Sequence, residues 1–159
     1  MRKGLVLIAG LVILALVNFG IYQRERLLTE GRIVLLRLAP VDPRSLMQGD
    51  YMRLNFEIAG QAFPTAASAP AADGHLVVLL DENGIGRFGR LGEARRLAPG
   101  EVALRYRIRD GRPNFATDAY FFEEGQAERY AAAAFGEFRV GADGEMILTG
   151  LRGPRLEKL

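Results

Sequence analysis

The sequence predicts a mainly β domain that follows a single N-terminal transmembrane helix. An uncharged apolar run opens the 159-residue chain, several later segments alternate apolar and polar residues, and Asn-Gly and Asp-Gly pairs separate those segments. We therefore expect an antiparallel β-barrel or sandwich with one short helix. The predicted parts are residues 1–22 (basic start and membrane anchor), 23–32 (stalk) and 33–159 (β-rich domain).

The apolar run extends from Gly4 to Tyr22 without a charged residue. At about 1.5 Å per residue it is about 28 Å long as a helix, which matches a hydrocarbon core of about 30 Å. A cleaved signal peptide is the alternative, but its apolar region is usually only about 7–15 residues and ends at a pair of small residues. Because residues 18–22 offer no such pair, we expect an uncleaved anchor.

The orientation of the anchor follows from the charges around it. Arg2 and Lys3 precede the run, the pattern of a signal anchor, and long domains are exported largely regardless of charge. The positive-inside rule on its own does not favour export, since four arginines follow closely: Arg24, Arg26, Arg32 and Arg37. We expect a single-pass protein of the inner (cytoplasmic) membrane with a periplasmic or otherwise extracytoplasmic C-terminal domain.

The composition excludes several classes of function. Without Arg2 and Lys3 the chain has 19 basic and 19 acidic residues, so it lacks the basic surplus that nucleic-acid binding needs. There is no cysteine, and His75 is the only histidine, which excludes cysteine and histidine clusters as metal ligands. We predict no cofactor, no bound metal and no nucleic-acid partner, and the oligomeric state stays open.

Two segments follow the anchor before the first clear hairpin. Residues 33–38 form an apolar run of strand length, and residues 51–58 alternate with period two, which predicts a strand with one buried face. The buried face of the second strand would carry Met52, Leu54, Phe56 and Ile58. Residues 59–74 are rich in Ala, Pro, Gly and Ser and predict a long, flexible surface loop.

The rest of the chain predicts three hairpins and a helix. The paired segments are residues 75–80 with 87–91, 102–108 with 112–116, and 137–140 with 145–151. The helix is predicted over residues 126–134, with Gly136 as its stop. Glu123 and Glu124 precede it, where acidic side chains complement the helix dipole.

One segment invites comparison with an enzyme. Ser45 lies a few residues before Gly49 and Asp50, and a serine near such a turn resembles that of membrane-anchored signal peptidases. That mechanism needs a lysine to deprotonate the serine, and this chain has lysines only at Lys3 and Lys158. The missing base argues against a peptidase.

The same segment carries the most distinctive motif of the chain. Residues 49–56 read GDYMRLNF, which resembles the motif of the bacterial GDYXXLXY family of membrane-anchored proteins. Phe56 stands where the motif has tyrosine, so the aromatic ring is kept and the hydroxyl is lost. Residues 40–44 and two later segments, 120–125 and 127–131, carry the same resemblance.

The resemblance implies a single-pass envelope protein, often encoded beside a polytopic membrane protein, in a family without an established activity. We therefore expect an interaction module that works with a polytopic membrane protein and contacts the lipid bilayer. Two alternatives stay open. One is a carboxylate-based hydrolase with Asp50 and Glu123 in a shared cleft, and the other is a binder of small ligands.

Physical chemistry gives the motif a role in the fold as well. Gly49 permits a positive φ, Asp50 can accept hydrogen bonds from nearby backbone N–H groups, and Asp42 can form an ion pair with Arg44. The motif is thus either a fold-defining corner or a partner site. The candidate residues are Asp42, Arg44, Gly49, Asp50, Tyr51, Leu54, Phe56, Glu123 and Glu124.

Overall fold

A computed structural model of the protein describes residues 2–39, 51–64, 72–94, 97–109 and 112–159. These described residues contain three helices and nine strands in chain order. They are α1 (Arg2–Glu30), β1 (Arg32–Arg37), β2 (Tyr51–Arg53), α2 (Glu57–Ala62), β3 (Gly74–Leu80), β4 (Gly86–Leu91), β5 (Glu101–Arg109), β6 (Arg112–Asn114), β7 (Ala119–Phe121), α3 (Ala127–Tyr130), β8 (Phe135–Val140) and β9 (Met146–Arg152).

Helix α1 is long and apolar enough to cross a membrane. It has 29 residues, and an 18-residue window within Val6–Glu30 has a mean hydropathy of 2.1, with no residue of that window buried inside the protein. At about 1.5 Å per residue the whole helix is about 44 Å long, which exceeds the hydrocarbon core. The predicted stalk is therefore a continuation of the same helix as far as Glu30.

A single glycine joins α1 to the β-rich domain. The buried Gly31 donates its N–H to the Leu27 carbonyl oxygen (3.0 Å), and its own carbonyl oxygen accepts a hydrogen bond from Arg139 Nη1 (2.9 Å). A Cβ on this residue would collide with the Leu27 carbonyl oxygen and lie 3.1 Å from the Arg139 Cβ. The joint is thus closely packed, and the anchor and the domain are held in one orientation.

The strands form three antiparallel sheets. Their orders are β1-β8-β9, β4-β3-β5-β6 and β2-β7. Backbone hydrogen bonds connect the two larger sheets, from Leu35 N–H to the Gly84 carbonyl oxygen and from Arg105 N–H to that of Gly144, each 2.9 Å long. The described residues form no closed barrel, so the sandwich-like alternative of the predicted fold is confirmed.

The core lies between the two larger sheets. The three-stranded sheet contributes fully buried side chains from β1 and β8, and the four-stranded sheet contributes them from β3 and β5. They include Val34, Leu36, Phe138, Leu76, Val78 and Leu104. Each such side chain stabilises the fold by about 1.5–3 kcal/mol relative to an exposed position, so this layer dominates the stability of the domain.

The predicted strand over residues 51–58 is wrong in its second half. Only residues 51–53 are in β2, and the chain turns into α2 at Glu57. The predicted burial is nevertheless correct, since Met52, Leu54, Phe56 and Ile58 are all buried. Ile58 and Ala62 are the buried residues of α2 and lie four residues apart, on one face of the helix.

The predicted flexible loop over residues 59–74 is also corrected. Residues 59–62 belong to α2, and Phe63 is buried with its ring centroid 5.3 Å from that of Tyr106. Gly74 begins β3, and residues 65–71 lie outside the described residues. The first part of this segment is therefore packed against the core.

The predicted helix over residues 126–134 is much shorter in the structure. Helix α3 contains only residues 127–130, because the chain then leaves the helix to join the sheet. Ala134 donates its N–H to the Arg152 carbonyl oxygen (2.8 Å), and β8 begins at the next residue. Within the described part of the domain there are two short helices, α2 and α3, where one was predicted, and all three predicted hairpin pairings are confirmed.

A buried ion pair fixes the C-terminal segment on β9. Glu137 Oε2 lies 2.5 Å from Arg152 Nη2 and accepts a hydrogen bond from that guanidinium group. Thr149 Oγ1 donates a hydrogen bond to Glu137 Oε1 (3.1 Å). Arg152 Nη1 also donates to the Leu156 carbonyl oxygen (2.7 Å), and Leu159 N–H donates to the Leu151 carbonyl oxygen (3.2 Å). Residues 153–159 thus cover one end of the outer edge of β9.

The Gly31 joint gives a testable prediction. We expect Gly31→Ala to lower the free energy of unfolding by about 1–3 kcal/mol, because the added methyl group overpacks the joint. Gly150→Ala in β9 is the matched control, since a Cβ there has no atom within 4 Å. Urea titration of the full chain in detergent measures both variants, and equal stability of the two would contradict the packed joint.

Candidate interaction site

The first two residues of the motif, Gly49 and Asp50, lie outside the described residues. Asp42 and Arg44, which precede the motif, lie outside them as well, so the predicted turn and the predicted ion pair stay predictions. The structure begins again at Tyr51, the first residue of β2, and describes the motif from there to Phe56.

The second half of the motif belongs to the core. Leu54 is 3% exposed and donates its N–H to the Asp118 carbonyl oxygen (2.8 Å). Phe56 is 5% exposed, and its ring packs edge-to-face on Phe138 at 5.3 Å and on Phe115 at 6.5 Å. The aromatic ring at position 56 therefore acts through packing, in line with the loss of the hydroxyl there.

An aromatic pair with one exposed ring lies at the beginning of β2. Tyr51 in β2 pairs with Phe121 in β7, and their ring centroids are 5.6 Å apart. The side chain of Phe121 is 74% exposed, more than any other large hydrophobic residue of the described chain, including those of α1. We call Tyr51 and Phe121 the aromatic ledge.

The neighbours of Phe121 hold the aromatic ledge in place. Tyr120 and Phe122 point to the opposite side of β7, and their rings pack on Tyr130 of α3 at 5.2 and 5.1 Å. Tyr130 is itself buried. Burial and a hydrogen bond to Tyr130 raise the pKa of the Tyr120 hydroxyl. The exposed Phe121 ring therefore lies between two residues whose side chains are packed on Tyr130.

Charged side chains lie close in the chain to the aromatic ledge. Glu123 and Glu124 follow β7 after Phe122 and are exposed. Because α3 has only one turn, its dipole offers these carboxylates little stabilisation, contrary to the role expected from a longer helix. Within β2 and residues 118–130 of the described chain, the exposed charged side chains are four carboxylates and two guanidinium groups: Asp118, Glu123, Glu124, Glu128, Arg53 and Arg129.

A polar cleft of about 290 Å³ lies elsewhere, between β1, α2 and β4. In it Arg37 Nε lies 3.6 Å from Glu57 Oε2, and the Arg37 guanidinium lies 4.8 Å from the centroid of the Phe135 ring. None of the predicted site residues that the structure describes, Glu123 and Glu124 included, lines this cleft.

Phe121 is the site residue that the sequence analysis missed. The run Tyr120-Phe121-Phe122 contains a signal that could have found it, since successive side chains of a strand point to opposite faces. One of three consecutive aromatic residues must then face away from the other two. In the structure this residue is Phe121, which is 74% exposed.

The motif region should separate into structural and exposed positions. We expect Leu54→Ala to lower the free energy of unfolding by about 2–5 kcal/mol, because it leaves a cavity in the core. Phe121→Ala should change it by no more than about 0.5 kcal/mol, because the ring is exposed. Chemical denaturation of both full-length variants tests this, and a large loss of stability in Phe121→Ala would show that the ledge is structural.

The packing of Tyr120 predicts a pH dependence. Its pKa is raised in the folded state, so its contribution to stability is complete below the unfolded pKa of about 10 and is lost as the pH rises through the folded value. We expect the free energy of unfolding to fall above about pH 10, and to fall less steeply in Tyr120→Phe. Equal slopes in the two proteins, measured by denaturation at several pH values, would contradict this.

Comparison with known proteins supports the motif. The family model described as GDYXXLXY protein matches residues 13–151, from the middle of α1 to the end region of β9. A search among curated proteins and a search among solved structures each gave no match. The matched range includes the second half of α1, the motif, the aromatic ledge and all strands except the last residue of β9. The chain belongs to the GDYXXLXY protein family.

Proposed function

We propose that this protein is a membrane-anchored interaction module whose extracytoplasmic β-rich domain binds a polytopic membrane protein through the aromatic ledge. The observation that carries the proposal is the exposure of Phe121, 74%, on a strand that is paired with the motif strand β2. The placement in the inner membrane, with the domain on the periplasmic side, follows from the signal-anchor pattern at Arg2 and Lys3.

The free energy of an exposed phenylalanine supports a binding role. Burial of such a ring is worth about 1.5–3 kcal/mol, and this gain is unused while the ledge is exposed to water. Aromatic side chains are enriched in the centres of protein interfaces, where a few residues provide most of the affinity. The rings of Tyr120 and Phe122 pack on Tyr130 and hold the backbone on both sides of Phe121. The backbone of Phe121 therefore loses little conformational freedom when a partner covers its ring.

The charges around the ledge indicate the chemistry of the partner surface. Four carboxylates and two guanidinium groups surround two aromatic rings, so the corner is acidic at its rim and apolar at its centre. A complementary surface offers an apolar pocket flanked by lysine or arginine side chains. The shared membrane keeps both proteins at a high effective concentration, so even a small contact suffices.

A small-ligand binder is the second candidate function, and the cleft beside α2 favours it. At about 290 Å³ the cleft is at the lower end of the range for ligand sites, about 300–1,000 Å³. Its ion pair between Arg37 and Glu57 is long and about half exposed, which stabilises little. The hydrolase alternative depends on Asp50, which lies outside the described residues, and the Asp50–Glu123 pair stays a prediction.

Site-specific crosslinking in native membranes tests the proposal. A photoreactive amino acid at position 121 of the full chain should form an adduct with a polytopic membrane protein, because the ring is central to the contact. The same amino acid at position 91 is the matched control, since Leu91 in β4 is 48% exposed and distant in sequence from the motif.

A charge-reversed rim adds a second measurement. Glu123→Lys combined with Glu124→Lys should reduce the adduct at position 121 strongly, because the rim then repels a basic surface. Adducts of equal yield from positions 121 and 91, or an adduct that is insensitive to the reversed charges, would show that the ledge is not the docking site.

A further inference from the structure

We propose that the end of the domain nearest α1 binds the phosphates of anionic lipid headgroups through Arg24 and Arg32. This inference rests on the proposed membrane anchoring. We call this end the basic face. It comprises residues 23–33 and 139–145, together with Arg105 and Arg107, which contact Glu145 of the turn between β8 and β9.

The height of the basic face above the bilayer follows from α1. Leu27 lies five residues after Tyr22, where the uncharged run ends, which corresponds to about 8 Å along the helix. Leu27 also packs against the turn, since a Cβ on Gly141 would lie 3.2 Å from Leu27 Cδ1. A headgroup layer is about 5–8 Å thick on each side of the hydrocarbon core, so the turn lies at its outer surface.

The orientation of this face is fixed by the joint. Gly31 is held by hydrogen bonds to Leu27 on one side and to Arg139 of β8 on the other. Arg32, the next residue, pairs with Val140 at the same end of the sheet. The domain therefore cannot turn its basic face away from the membrane without tilting or breaking α1.

The charges of the basic face are unbalanced in favour of arginine. Within the part of the chain that the structure describes, its six guanidinium groups stand against four carboxylates: Arg24, Arg26, Arg32, Arg105, Arg107 and Arg139 against Glu25, Glu30, Asp143 and Glu145. Arg105 Nη1 and Arg107 Nη2 share one oxygen of Glu145, at 2.5 and 2.9 Å, and this cluster keeps one positive charge.

Arg24 and Arg32 are the groups available to a ligand. Arg26 is paired with Glu30 at 2.7 Å, whereas Arg24 and Arg32 are exposed and form no ion pair with any residue that the structure describes. A guanidinium group binds a phosphate through two parallel N–H groups, a geometry that lipid headgroups provide.

A fluorescence measurement with reconstituted protein tests the inference. The chain has no cysteine, so a cysteine introduced at the exposed Ala142 in the turn is unique and carries a fluorophore. The full chain is placed in vesicles of phosphatidylcholine alone or mixed with phosphatidylglycerol, each containing a quencher on its headgroups. We expect stronger quenching with phosphatidylglycerol, reversed by salt.

Paired variants identify the residues involved. Arg24→Gln and Arg32→Gln should each weaken the binding of the basic face to phosphatidylglycerol headgroups about fivefold. Together they should abolish the effect of phosphatidylglycerol on the quenching. Arg53→Gln combined with Arg129→Gln removes the same charge from the acidic corner and should leave the effect unchanged. Addition of inorganic phosphate should not release the turn, and release by phosphate at constant ionic strength would assign the site to the free anion instead.

The remaining outcomes separate this inference from the anchoring. A chain that floats with vesicles of both compositions but shows equal quenching in the two would overturn the headgroup contact and leave the anchor intact. Equal sensitivity of the paired control variant would also overturn it. A chain that floats with neither kind of vesicle would overturn the anchoring and the headgroup contact together.

Discussion

The antiparallel pairing of β1 with β8 is the constraint on which the rest of the structure depends. Strand β1 follows α1 after the single residue Gly31, and its register with β8 runs from Arg32 opposite Val140 to Arg37 opposite Phe135. The same pairing places Phe138 in the core, where its ring supports Phe56 of the motif. One strand pair thus connects the anchor, the hydrophobic core and the motif.

The motif that defines the family has two physical roles in this protein. Leu54 and Phe56 are core residues, whereas the half-buried Tyr51 supports the exposed ring of Phe121. The same few residues thus contribute to the core and to the surface beside it.

The parts of the fold that the sequence predicted correctly depend on local signals. The hairpin of β3 and β4 turns at Asn83-Gly84, and Gly84 has a φ of +78°, which glycine adopts without strain. The alternating burial of residues 52–58 was also predictable, but it did not distinguish an extended chain from the start of a helix. The remaining errors arose where pairing between distant segments overrides the local pattern. The helix predicted over residues 126–134 is an example, because Ala134 instead donates its N–H to the Arg152 carbonyl oxygen.

The candidate site was less predictable, because exposure is a property of the whole fold. Glu123, Glu124 and Tyr51 were singled out from their segments, and the structure places all three at one corner. The exposure of Phe121 depends on Tyr130, which covers its two neighbours from a different element. No local pattern specifies which member of an aromatic run a distant residue will cover.

The joint at Gly31 has a consequence for the angular position of the domain. Helix α1 turns by about 100° per residue, and one closely packed residue transmits that rotation to β1. When a neighbouring helix packs against one side of α1, the choice of that side determines the direction in which Phe121 points from the domain. A one-residue insertion between Tyr22 and Leu27 would redirect the ledge by about a quarter of a circle while leaving every contact within the domain intact.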